Sequence, residues 1–293
     1  MCKFKSFIVT KNDILHDLDD DSHEALIKAH GLKDNTPSPL FVRVEMTPKD
    51  GNSFNHVREN WHLRVDQDYR PDWFSEKEAE EACWPKLEAT FKARFLLSGN
   101  VKELTKGRWF IGGSATIESV EDSATIESVG DSATIEYLRG SATIESVGGS
   151  ANINSVGGSA TINSVLGSAN INSVGGSATI EYVGDSATIK YVRGSATITS
   201  VWGSATIKRV GDSATIESVG DSANIKSVWG SATIKRVGGS ATINSVWDSA
   251  TIAGIYSKTA TWKLKDNAIA IDRTGDSVVV YTADKATRLE VQK

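Results

Sequence analysis

The chain has 293 residues, 39% of them hydrophobic and 24% charged, and 32 Lys+Arg stand against 37 Asp+Glu for a formal net charge of −5. That length accommodates two ordinary domains, but no apolar run approaches the ~20 residues of a membrane-spanning helix and Phe7-Ile8-Val9 is too short a core for a secretory signal. Two cysteines, Cys2 and Cys83, exclude a disulfide framework and a four-cysteine zinc site, and the net acidity argues against nucleic acid as a partner.

All five His and all five Pro precede residue 86, whereas 20 of the 25 Gly fall within 112–257, so the composition predicts a distinct N-terminal domain over 1–111. Its expected strands are Phe4–Thr10, Leu40–Met46 and Trp61–Asp66, the last from the alternation of Trp61, Leu63 and Val65. A first helix is expected over Ser22–His30, with Asp21 and Glu24 as a capping box and Gly31 as its end. A second begins after Ser75, with Glu78 completing its box, and runs past Cys83 toward Phe95, with Pro85 expected to kink or break it. Arg108–Ile111 reads as the strand that leads into the glycine-rich region, giving an α+β domain.

Two acidic segments carry the candidate chemistry of this domain: Asp17 with Asp19, Asp20 and Asp21, and Asp66 and Asp68 with Asp72. Such loops hold Mg²⁺ or Ca²⁺ in some proteins, but a calcium loop starting at Asp17 would need Gly where Ser22 stands and Glu where Lys28 stands. Solvated turns and helix starts explain the same residues. His62 is expected on the outward side of its strand, and Cys83 in the core rather than acting as a nucleophile. No phosphate-binding glycine loop, zinc-ligand set or nucleophile elbow occurs. The sequence therefore assigns no catalytic, cofactor-binding or metal-binding residue and no cofactor, and an enzyme site near Asp66, Asp68 and His62 is the alternative reading.

From Ser114 to Ser257 the chain repeats every nine residues, sixteen times without insertion, as Ser-Ala-Thr/Asn-Ile-x-Ser/Tyr/Arg-Val-x-Gly/Asp. Positions five and six vary among polar residues and cannot enter a narrow core, so Ala, Ile and Val fill it and the third residue points out. Gly or Asp at position nine suits a turn with positive φ. Nine extended residues span about 30 Å and cannot form two strands and cross a ~10 Å sheet gap twice. One coil therefore takes two repeats, or eighteen residues. Asn152/Asn170 and Asn154/Asn172 are then stacked on adjacent coils. The expected fold is mainly β: a parallel β-solenoid over 112–257 with about eight coils, roughly 38 Å long. The calcium-binding nonapeptide of secreted toxins is not the match, because Ile117 stands where its Asp would be.

The rod is polarised. Units one to eight carry a net of −8 and units nine to sixteen a net of +3. This either guides a partner or keeps exposed strands soluble. Even-numbered units align Thr125, Thr143, Thr161 and their successors in one column, resembling the hydroxyl array of ice-binding solenoids, although outward Thr is also a good strand former. Trp202, Trp229, Trp247 and Tyr256 replace Gly at position eight, which marks either an interface, including a homodimer, or contact with the C-terminal segment. With Arg193, Arg209 and Arg236 they are the interaction candidates. Beyond Ile255 the period fails: Thr259-Ala260-Thr261-Trp262 repeats the motif one residue out of register, and Val278–Tyr281 and Arg288–Val291 read as strands of a cap over 258–293.

The stretches Cys2-Lys3, Asp21-Ser22-His23, Phe41-Val42-Arg43-Val44-Glu45, Pro48-Lys49-Asp50-Gly51 and Val65 to Phe74 resemble an uncharacterised family of bacteriophages and bacterial mobile elements that joins such a domain to tandem Ser-Ser-Thr-Val or Asn-Ala-Thr-Val repeats. The resemblance implies an accessory protein acting in the cytoplasm of the bacterial host cell. With no catalytic constellation in view, the expected function is a non-enzymatic interaction or scaffold protein that binds or sequesters a host protein or small molecule through the solenoid.

Overall fold

The computed structural model describes residues 5–18, 20, 22–33, 40–275, 278–283 and 286–289. It divides into two compact units, Met1–Phe95 and Leu96–Lys293.

The first unit is built on strands β1 (Lys5–Thr10), β2 (Ile14–Leu15), β3 (Phe41–Pro48) and β4 (Trp61–Val65), with helices α1 (His23–Ala29) and α2 (Glu76–Arg94). The antiparallel sheet has the order β2-β1-β3-β4. The N-cap of α1 is Ser22, whose hydroxyl accepts from the Ala25 amide at 3.2 Å, rather than the expected Asp21, which lies outside the described residues. Gly31, at φ 61°, ends the helix as expected, and the amides of Gly31 and Leu32 return to the carbonyls of Lys28 and Ile27.

Helix α2 begins on Ser75 but is not broken at Pro85. Its buried stripe, Ala79, Cys83, Trp84, Leu87, Thr90 and Phe91, follows the helical period. Pro85 and Glu81, whose carbonyl loses its partner to the proline, are both exposed. On the solvent-facing side the lost bond costs less than it would in the core, because water can take its place, and the helix runs through. Cys83 is fully buried among these apolar neighbours, and burial pushes its thiol up to about 12, which leaves it protonated and unreactive at neutral pH.

In the repeats of the second unit each strand pairs in parallel with the strand eighteen residues on: Ile117 with Ile135, Ile135 with Ile153, and Ile126 with Ile144. One coil therefore takes two repeats, as the reach of the chain requires. Odd-numbered units form one sheet and even-numbered units the other. Stacking extends one coil beyond the repeats at each end, since Asn100–Leu104 and Arg108–Ile111 pair with the first repeats and Thr261–Leu264 and Ile269–Asp272 with the last. Ten coils result rather than eight, a stack of roughly 48 Å. The extra coils escaped the repeat pattern because their strands carry neither its residues nor its strict spacing: Val101 pairs with Ile117, sixteen residues on, and Arg108 with Thr125, seventeen on. At the C-terminal end, Thr242 pairs with Thr261, nineteen residues on, as the slipped motif predicts. Antiparallel strands Val278–Tyr281 and Ala286–Leu289 then continue the even-unit sheet, while Glu290 and Val291 lie outside the described residues.

The core is a single column. Every repeat Ala, Ile and Val, with Leu138 and Ile255 in the Val place, is at most 1% exposed. The turns are equally regular. Position nine is left-handed whether it holds Gly or Asp: φ is 59° at Gly149 and 50° at Asp131. Its backbone amide lies outside the main-chain ladder, and aspartates fill that gap. The amides of Gly113, Gly167, Gly194, Gly203 and Gly230 donate at 2.8–3.1 Å to Oδ2 of the Asp one coil on, respectively Asp131, Asp185, Asp212, Asp221 and Asp248. Within the sixteen repeats no position-nine Asp is followed by another one coil on, which keeps carboxylates from stacking directly.

Candidate functional site

The outward fifth position of the odd-unit sheet brings residues eighteen apart into one column, Glu118, Glu136, Asn154, Asn172, Lys190, Lys208, Lys226 and Asn244, and register adds Lys102, sixteen before Glu118. Adjacent strands are about 4.8 Å apart, so Lys190, Lys208 and Lys226 form a ladder of like charges, an arrangement that costs stability unless an anion covers it. None of the three is ion-paired among the described residues. Elsewhere neighbouring position-five groups satisfy each other: Asn154 donates to Glu136, Asn163 to Glu145, and Lys235 pairs with Glu217. A shallow depression of about 190 Å³, lined by Asn152, Asn154, Asn170, Asn172, Thr188, Lys190 and Lys208, marks the start of the ladder.

Arg193 and Arg209 belong to this side. Both guanidinium groups lie over the Tyr191 ring, 5.0 and 5.4 Å from its centroid, and Arg209 also donates to the Tyr191 hydroxyl at 3.4 Å. Trp229 and Trp247 occupy the corner of later odd-numbered units, 37% and 39% exposed. Trp202, Arg236 and Tyr256 stand on the even units, so the interaction candidates fall on two sides of the rod, and Arg236 lies 5.1 Å from the Tyr256 ring centroid. The tryptophans exploit the glycines that replace them in other coils, since the rings of Trp229 and Trp202 fill the space a side chain at Gly211 or Gly220 would need. Lys265, from the C-terminal segment, sits over the Trp247 ring at 4.3 Å. The even-unit threonines are half-buried and stacked, with the Glu217–Lys235 pair beside them.

In the first unit the sheet carries a polar face. Register sets Glu45 between Ser6 on β1 and Arg64 on β4, and Thr47 beside His62. The ladder continues one residue past β4, where the Asp66 amide donates to the Arg43 carbonyl at 2.9 Å. His23, at the start of α1, is 2% exposed, with Nε2 3.1 Å from the Val44 carbonyl oxygen and Nδ1 3.3 Å from Asp66 Oδ2. Ligand atoms of His23, Glu45 and Asp66 all lie within 4.8 Å of one another. Asp66 is thus grouped with His23 and Glu45 rather than with Asp68, which is exposed and outside the group. His62 faces Thr47, its Nε2 3.4 Å from the hydroxyl. Sequence reasoning missed His23 and Glu45. The available signal was a Glu within the apolar run Phe41–Met46, at a place in the strand that turned out to be covered.

Compared with known proteins, the chain matches no family model, no curated protein and no solved structure. Among the described residues no helix is long and apolar enough to cross a membrane.

Proposed function

We propose that the protein is a non-enzymatic interaction module that binds an acidic partner along the odd-unit face of its solenoid. The observation that carries this reading is the uncompensated ladder Lys190, Lys208 and Lys226, flanked by Arg193 and Arg209 on Tyr191. A rigid stack with cations at a fixed spacing presents a preformed, low-entropy surface to a run of carboxylates. The resemblance to phage and mobile-element proteins supports a bacterial host component as the partner, met in the cytoplasm, which the protein sequesters. An enzyme site near Asp66, Asp68 and His62 is the alternative, and ice binding the weaker one, because charged pairs beside the threonine column roughen that face. Capture from a bacterial lysate by the full chain and by a Lys190→Glu, Lys208→Glu, Lys226→Glu variant tests the reading. The intact chain is expected to retain an acidic protein that the variant loses; equal retention by both removes the ladder from the function.

A specific observation also favours self-association. The odd-unit column complements itself. A twofold axis through Asn172, perpendicular to the rod and in the plane between two facing sheets, sets Glu118 against Lys226, Glu136 against Lys208, Asn154 against Lys190 and Lys102 against Asn244. A half-coil shift either way sets Lys102 against Lys226 or Lys263, and a parallel arrangement sets like upon like. The nine facing coils from Lys102 to Asn244 cover roughly 43 Å by 17 Å, about 1,500 Å² over both copies, within the usual range of a specific interface. Sedimentation is expected to show a dimer at low ionic strength that dissociates in high salt. Lys208→Glu should yield monomer, and Glu136→Lys in that background should restore the dimer. A monomer under every condition would leave the column to an external partner.

A further inference from the structure

We propose that His23, Glu45 and Asp66 form a binding site for one divalent transition-metal ion in the N-terminal unit, a site independent of the solenoid reading. A carbonyl oxygen only accepts, so the contact between His23 Nε2 and Val44 fixes the ring hydrogen on Nε2. Neutral His23 then turns the Nδ1 lone pair toward Asp66 Oδ2, 3.3 Å away. A histidine anchored by its other nitrogen on a backbone carbonyl is the arrangement that orients metal-binding imidazoles.

Two further groups point to a cation. Glu45 is only 8% exposed, and among the described residues no hydrogen bond or ion pair holds its carboxylate, whose oxygens keep a narrow contact with solvent. Directly across the strand pair, the fully buried Ser6 hydroxyl also has no partner. A carboxylate so largely removed from water is better satisfied by a cation than left unpaired. Protonating His23 would satisfy Asp66 but leave Glu45 without a contact of its own. A cation between the three groups satisfies both carboxylates, and two negative charges balance its two positive ones.

The spacing decides the class of ion. Ligands held tetrahedrally about 2.1 Å from zinc stand roughly 3.4 Å apart, close to the His23–Asp66 separation of 3.3 Å. The remaining separations, up to 4.8 Å, close by side-chain rotation. One imidazole with two carboxylates suits Zn²⁺ or Mn²⁺, whereas Mg²⁺ and Ca²⁺ favour all-oxygen sets. Asp66 is 60% exposed, so the ion keeps a side open to water.

The test uses the full, untagged chain stripped by a chelator and titrated with Zn²⁺ and Mn²⁺ by calorimetry and with Co²⁺ by visible absorption. One ion per chain is expected, with a rise in Tm. Asp66→Asn, at an exposed position and with its fold checked by dichroism, and Glu45→Gln should each weaken binding by at least about 10-fold, no less than the loss typical of a group that only orients a ligand. Asp68→Asn should not change it. No uptake in excess metal, or uptake that Asp66→Asn and Glu45→Gln leave unchanged, overturns the assignment.

Discussion

Ile198→Ala is expected to destabilise the solenoid by about 2–5 kcal/mol, the usual cost of truncating a fully buried aliphatic side chain, while Thr197→Ala, one residue away, should cost less than about 1 kcal/mol. The contrast comes from the strand period. Ile198 is 0% exposed and stacks between Ile180 and Ile216, whereas Thr197 points outward in the threonine column. The core is only as wide as one Ala, one Ile and one Val from each side, and ladder hydrogen bonds above and below hold the backbone in place. The cavity therefore has little room to collapse, which places the loss toward the upper end of the range. Because stacked repeats couple to their nearest neighbours, the defect should also divide a single urea transition into two, resolved by hydrogen exchange of the coils on either side of residue 198. Equal effects of the two substitutions would mean that inward and outward positions have been exchanged.

What the sequence made legible was whatever repeats. Sixteen copies of one nonapeptide state the inward positions sixteen times, and the length of chain needed for two strands and two corners settles the eighteen-residue coil. The flanking coils were hidden because Val101, Trp109, Trp262 and Ala270 occupy Ile places without the Ser-Ala-Thr frame. The lysine ladder was visible only once residues were sorted by column. Summed along the axis, the charges show a polarity, but not that Lys190, Lys208 and Lys226 share one edge while Glu118 and Glu136 occupy its other end. The N-terminal cluster was the least legible part. His23, Glu45 and Asp66 are each about twenty residues apart and sit on a helix start, a central strand and a strand end, so no local spacing links them; strand register and the docking of α1 do.

The position-nine turns give the second large effect, because there the backbone rather than a side chain sets the outcome. Gly176 has φ 63°, and a Cβ built on it would stand 3.0 Å from both the amide nitrogen and the carbonyl oxygen of Gly158. Gly176→Val is expected to cost roughly 2–3 kcal/mol, since a β-branched residue combines left-handed strain with crowding against backbone that cannot yield. Gly176→Ala should cost roughly 1–2 kcal/mol. Gly176→Asp, although larger than Ala, should be the mildest of the three. Its carboxylate can accept from the Gly158 amide as Asp185 does from Gly167 and Asp212 from Gly194, at 2.9 Å. The neighbouring coils at this corner carry Gly158 and Gly194, so no second carboxylate lies beside it. Gly140→Asp supplies the contrast, because the coil below places Asp122 at the same corner, and a Cβ on Gly140 would stand 2.8 Å from the Asp122 amide nitrogen. There the hydrogen bond is formed against like-charge repulsion, and the deficit should shrink as salt screens it. Melting temperatures of the four variants at low and high ionic strength give the order directly. If Gly176→Asp is as damaging as Gly176→Val, the aspartates of this turn are tolerated for a reason other than the amide they bind.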